Sequence, residues 1–238
     1  MCFSYTLNTS TKSLEERFNL RPTKQQFDPV YHINAFTFPK MPIVTNEIPN
    51  KISFLQWGLI PNWVKNDSKA DEIKKFTLNA RSETIFEKPS FRNSINSKRC
   101  LIPATGFFEW KHINKEKIPY YIFSAKQDIF SFAGIWDNYT NENNEEVFTY
   151  SIVTCKANPF MANIHNTKKR MPVILNLKQE SLWLDNNLKK NEINKIFLEV
   201  EYDLDAYTIN KSLGNPKFNS NTPKIFQRFN YKDNNLGI

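Results

Sequence analysis

The sequence is short of the residues that build several familiar sites. Only 5 of its 238 residues are glycine, and they form no phosphate-cradling loop, no Gly-x-Ser-x-Gly elbow and no dinucleotide fingerprint. Histidine occurs three times, at His32, His112 and His165, with no second His or Cys at metal-ligand spacing. A metal site is therefore not expected, nor is a cofactor. Three cysteines, Cys2, Cys100 and Cys155, suit reduced thiols better than a disulfide framework. No run of 18 apolar residues exists, and the N-terminal stretch lacks the apolar centre of a signal peptide. These absences lead us to expect a cytoplasmic, soluble monomer with no membrane partner.

What is present argues for a folded domain. Hydrophobic residues make up 40 % of the chain and aromatics 14 %, too much for a disordered segment. The length suits one large domain, and no repeat or linker divides it. A net charge of +8 favours a polyanionic partner, nucleic acid before membrane, although a solvated lysine-rich surface would give the same value.

Periodicity predicts an α+β domain over residues 1–238, with a curled, mostly antiparallel, barrel-like sheet and short peripheral helices. Strands are expected at 3–7, 52–57, 100–103, 107–111, 120–124, 130–135, 147–154, 171–175 and 206–210. Helices are expected near 13–16, 68–75, 89–95, 158–165, 179–184 and 192–197. Beyond about residue 215 the sequence turns polar and reads as a meandering tail.

Four places carry chemistry. Cys2 is small enough for Met1 to be trimmed in front of it, leaving an amine and a thiol two carbons apart. The free α-amine titrates near pH 8, so part of it is neutral and nucleophilic at neutral pH. An aldehyde condenses with such an amine to an imine, and the adjacent sulfur can close a thiazolidine ring. Glu109, in Gly106-Phe107-Phe108-Glu109-Trp110-Lys111, shares a strand face with Phe107 and Lys111 while Phe108 and Trp110 point the other way. Apolar neighbours would raise its pKa into the range of general acid–base catalysis, and the competing reading is an ordinary surface glutamate. His165 precedes a basic cluster, where a lone histidine is more often structural than catalytic. The run Asn79-Ala80-Arg81-Ser82-Glu83-Thr84 is a polar loop whose side chains would ordinarily turn back on the backbone.

Taken in order, Met1-Cys2, Trp57-Gly58-Leu59-Ile60-Pro61-Asn62-Trp63, the 79–84 run, the 106–111 run and His165 followed by Arg170-Met171-Pro172-Val173-Ile174-Leu175 resemble the SRAP family, named for SOS response-associated peptidase. The resemblance spans roughly residues 2–215. It implies a DNA repair protein that crosslinks to abasic sites in single-stranded DNA through a thiazolidine between Cys2 and the ring-opened sugar. Glu109 and His165 would then move protons, and Asn79 would orient the amine or sugar. Arg81 and Arg170 would grip flanking phosphates, with Ser82 and Thr154 also lining the DNA. Phe36, Trp63 and Trp110 become candidates for stacking on bases. The chain departs from the family in three places, one being the turn Ala35-Phe36, where relatives often have Ala-Pro. Phe3-Ser4 stands where many members have Gly-Arg, and Asn166 to Lys169 lengthen the step from His165 to Arg170, adding Lys168 and Lys169 as phosphate contacts. Two other function classes compete, an N-terminal-nucleophile cysteine peptidase and a non-catalytic barrel that binds single-stranded nucleic acid.

Overall fold

Alternating apolar residues between positions 99 and 156 become five strands divided between two sheets, and the remaining elements are laid against them. The computed structural model describes residues 2–199, 203–215 and 217–231. Met1, whose removal is expected, and the last seven residues of the expected tail lie outside the described residues.

The strands are β1 (Ser4–Leu7), β2 (Val30–Asn34), β3 (Lys40–Thr45), β4 (Ser53–Trp57), β5 (Asn79–Arg81), β6 (Arg99–Ala104), β7 (Gly106–Ile113), β8 (Glu116–Ser124), β9 (Phe130–Thr140), β10 (Glu146–Lys156), β11 (Arg170–Pro172), β12 (Ile174–Leu175) and β13 (Leu204–Thr208). The helices are α1 (Thr11–Phe18), α2 (Asp67–Lys74), α3 (Arg92–Ser97), α4 (Pro159–Ile164), α5 (Leu177–Trp183) and α6 (Lys190–Leu198). Helix α1 starts earlier than the Ser13 box suggests, because Ser10 is the residue whose side chain accepts from Ser13 N. Helix α4 follows the expected pattern, with Asn158 as N-cap accepting from Met161 N and Pro159 in the first turn.

Strand β10 pairs with β4, β4 with β3, β3 with β6, β6 with β9, and β9 again with β10. Five strands thus close into a barrel, which leaves the ring no open edge. The short β5 continues along the edge of β10 beyond β4, pairing Ile152 with Asn79 and Thr154 with Arg81. A second sheet in the order β13-β8-β7-β1-β2 lies against the barrel. The expected α+β domain with a barrel-like core is what the chain forms.

The alternation read along β7 decides how the layers pack. Phe107 faces inward, its ring 5.8 Å from Phe132, while Tyr5 on β1 reaches Trp57 at 5.3 Å and Phe132 at 5.8 Å. Removing one such buried ring typically costs ~3–5 kcal/mol. Phe108 faces outward and packs with Ile209, Leu213 and Ile225. That outer layer comes partly from the segment read as a polar tail, since Phe226 stacks on Phe108 with ring centroids 6.4 Å apart. Gly106, at the start of β7, lies under the Tyr121 ring, where an added Cβ would sit 2.4 Å from Cε2.

Candidate active site

Cys2, Glu109 and His165 meet where the residues before β1, the middle of β7 and the end of α4 come together, and β5, paired with β10, connects to them through Thr154 and Arg170. Cys2 directly precedes β1 and is fully buried within the main core. Its Sγ is 3.9 Å from the Ser4 carbonyl oxygen. Burial, reinforced by the negative charge of Glu109, pushes the thiol up to about 12. The sulfur is therefore protonated at rest, and any nucleophilic role must wait for a base.

Glu109 leaves β7 toward the interior and is 4 % exposed. Burial raises its carboxyl to about 7, so near neutral pH it holds and releases a proton with equal ease. Its Oε1 lies 3.6 Å from His165 Nδ1. His165 ends helix α4, and its Nδ1 sits 2.8 Å from the carbonyl oxygen of Arg170. A carbonyl can only accept, so the proton is assigned to Nδ1 and the Nε2 lone pair is left to accept. Burial lowers the pKa of this imidazole, which keeps it neutral. Burial thus favours the uncharged form of both groups, moving the carboxyl up and the imidazole down.

Asn79 opens β5 and is 8 % exposed. Neither its Oδ1 nor its Nδ2 has a hydrogen-bond partner among the described residues. A buried amide left unsatisfied at both ends costs about 1–3 kcal/mol per group, which suits a side chain built to hold a ligand.

Around this centre the cations divide into two kinds. Arg170 is held in place, one Nη pairing with Glu83 and the other donating to Thr154 O at 2.8 Å and Thr154 Oγ1 at 3.3 Å. Ser82 N donates to the same Thr154 carbonyl at 2.9 Å. Ser82, Thr154 and Arg170 are thereby locked together across β5, β10 and β11. Arg81, Lys168 and Lys169 stand exposed. Lys169 adopts a left-handed φ of 50°, and its N–H donates to His165 O at 2.9 Å, so the longer loop is tied to the catalytic histidine candidate.

The aromatic candidates separate as well. Phe36 is 61 % exposed and its ring centroid lies 5.1 Å from that of Phe3, the residue after Cys2. Phe3, His32, Phe36, Trp110, Phe218 and Ser220 line a cavity of about 440 Å³. Trp110 also packs against the outer apolar cluster. Trp63 is 44 % exposed on the loop after β4, with no contact joining it to Cys2 among the described residues.

Two participants escape the sequence reading. Glu83 was quoted only as part of a polar run, yet it neutralises Arg170. His32 carries no motif or spacing signal in the sequence, yet its Nδ1 is 2.6 Å from Ser220 Oγ and its Nε2 is bonded to Ser4 Oγ.

Comparison with known proteins agrees over most of the chain. The family model described as SOS response associated peptidase (SRAP) matches residues 1–216. The abasic site processing protein YoqW of Bacillus subtilis is 36 % identical over 235 residues, covering 95 % of this chain and 99 % of that protein. The abasic site processing protein HMCES of Xenopus tropicalis is 34 % identical over 154 residues, or 56 % of this chain and 45 % of that one. A crystal structure of a protein from Bacteroides thetaiotaomicron superimposes with a TM-score of 0.89 at 42 % identity, covering 96 % of this chain and all of the other.

Proposed function

This chain belongs to the SRAP family of abasic site processing proteins, and from that premise we propose that it captures the ring-opened abasic deoxyribose of single-stranded DNA as a thiazolidine on Cys2. The observation that carries the reading is the convergence of the Cys2 thiol, a carboxyl raised to about 7 and a neutral histidine within one buried cluster.

The electrostatics set the order of steps. A thiol pushed to about 12 is a poor first nucleophile, so the amine exposed by Met1 removal leads. It attacks C1′ of the open-chain aldehyde to give a carbinolamine. Glu109, protonated, donates a proton to the departing hydroxyl, water leaves and a cationic imine remains. The imine then draws in the Cys2 sulfur, whose proton passes to the carboxylate just formed, and C–S bond closure returns the electron pair to nitrogen. One C–N and one C–S bond form, one water is lost, and no redox partner is needed. For ring opening, His165 takes the anomeric C1′ hydroxyl proton on its Nε2 lone pair and returns it to O4′ as the C1′–O4′ bond breaks, leaving the aldehyde and a neutral C4′ hydroxyl. Asn79 supplies the amide that holds the sugar or amine.

DNA is held by charge and stacking, because the lesion has no base to read. Arg81, Lys168, Lys169 and Arg170 serve the phosphates, and Phe36 and Trp110 stack on neighbouring bases. Arg81→Ala should weaken binding and reduce the slope of log K against log salt by roughly 0.7, the value for one phosphate contact on a single strand. An unchanged slope would remove Arg81 from the phosphate contacts.

Intact-protein mass spectrometry tests the whole proposal. The expected species lacks Met1 and, with an abasic oligonucleotide, gains the mass of the strand less one water. Peptide turnover without such an adduct would favour the peptidase reading, and equal affinity for intact and abasic strands without crosslinking would favour a passive binder.

A further inference from the structure

A nucleophile at the very start of a chain is tethered on one side only, so its aim depends on how the next residues are anchored. Here three contacts do this. Cys2 Sγ is 3.9 Å from Ser4 O, the Phe3 carbonyl accepts from Ala35 N at 2.9 Å, and Ser4 Oγ is bonded to His32 Nε2. The third contact continues outward, since His32 Nδ1 meets Ser220 Oγ at 2.6 Å. Beside it, Tyr31 N donates to Asn221 Oδ1 at 2.8 Å. The imidazole edge rests on Phe108, 5.6 Å between centroids at 86°, and Phe226 stacks on the other side of that cluster. Ser220, Asn221 and Phe226 all lie beyond residue 216, where the family match ends. Ser4 is one of the positions where this chain departs from Met-Cys-Gly-Arg.

We propose that His32 is a positioning residue for the Cys2 aminothiol, and that the C-terminal segment, through Ser220, belongs to the reactive site by holding His32 against Ser4. This rests on the thiazolidine reading above. Burial lowers the His32 imidazole to about 4, so at neutral pH the ring accepts from one serine and donates to the other, giving the contact chain a direction. Ser4 is 3 % exposed, so losing the imidazole leaves a buried hydroxyl without its partner as well as a loosened strand start.

The test uses full-length variants His32→Phe, His32→Gln, Ser220→Ala, Ser4→Ala and the Ser4→Ala/Ser220→Ala double variant, with Met1 removal verified by mass. Two rates are read, single-turnover crosslinking to abasic single-stranded DNA and thiazolidine formation with glyoxylate, a small aldehyde that makes no strand contacts. His32→Phe is expected to slow both rates roughly tenfold or more, with affinity for an intact strand unchanged. His32→Gln should regain part of the loss. The Ser220→Ala loss should vanish when Ser4 is already alanine, because both act through one chain of contacts. Wild-type rates in His32→Phe, or independent multiplying losses from Ser4 and Ser220, overturn the proposal. Should His32→Phe fail to fold, Ser220→Ala, which removes one hydroxyl from a half-buried site, decides alone by the same criteria. A wild-type protein that reacts with glyoxylate but never with DNA would sink the proposed function while leaving the clamp testable; one inert to both sinks the clamp too.

Discussion

With Met1 removed, Cys2→Ala is expected to bind abasic single-stranded DNA normally and leave no adduct that survives denaturant. The substitution removes only the sulfur from a fully buried position, a loss of about 1 kcal/mol in folding stability, so the fold should persist. The α-amine is retained, and it still condenses with the aldehyde. Borohydride added during the reaction should therefore trap a reduced imine in Cys2→Ala, though nothing is captured without it. This outcome separates the two halves of the aminothiol and tests the order argued from the thiol's elevation to about 12. Failure to trap any imine would show that sulfur attacks first, and the amine-led route would have to be abandoned. A stable adduct in the alanine variant would remove Cys2 from the chemistry altogether.

Glu109→Gln carries the second large effect, and it acts in opposite directions on rate and stability. Losing a positioned acid–base group slows a reaction by roughly 10²–10⁴-fold, and intact-strand affinity should hardly change because the side chain is buried away from solvent. The pH profile should change shape. In the wild type, the fraction of neutral amine rises toward its pKa of about 8, while the fraction of protonated Glu109 falls above about 7. The rate therefore passes through a maximum between these values, and the amide, which cannot titrate, removes the falling limb. Stability follows from linkage. Because burial raises the folded-state pKa from 4.5 to about 7, the folded protein binds more protons than the unfolded chain between those values, and stability falls as pH rises through that window. The cost is absent below about 4.5, complete above about 7, and on the order of 3 kcal/mol. Glu109→Gln should thus raise Tm by roughly 5–10 °C at about pH 8, with the gain shrinking toward pH 4.5. Equal melting shifts at both pH values would show that Glu109 is not held protonated by burial.

The parts of the fold legible in the sequence were those governed by local alternation. The runs from 100 to 154 carry their inward and outward faces in every second residue, and β7 separates Phe107 from Phe108 as that pattern requires. Closure of the barrel was not legible in detail, because it depends on β10 meeting both β4 and β9 across long sequence separations. Asn79 to Arg81 read as a loop because three residues show no period, and β10 supplies the partner that makes them a strand. The tail misled for a related reason. Phe218, Ile225 and Phe226 are spaced irregularly among polar residues, and only the outward face of β7 reveals why they are apolar. At the site, motif order pointed to Cys2, Asn79, Glu109 and His165 together. His32 carried no such signal, since its partners lie 28 and 188 residues away in the chain.

The burial of Cys2 has a consequence for how long the protein lasts in use. Peroxides and alkylating electrophiles consume thiolates, not thiols, and a fully buried sulfur whose pKa is pushed up to about 12 presents almost none of the vulnerable form to them. On the proposed reading, a Cys2 oxidised beforehand could close no thiazolidine. Sequestration would then keep the sulfur unspent until the proposed imine forms beside it.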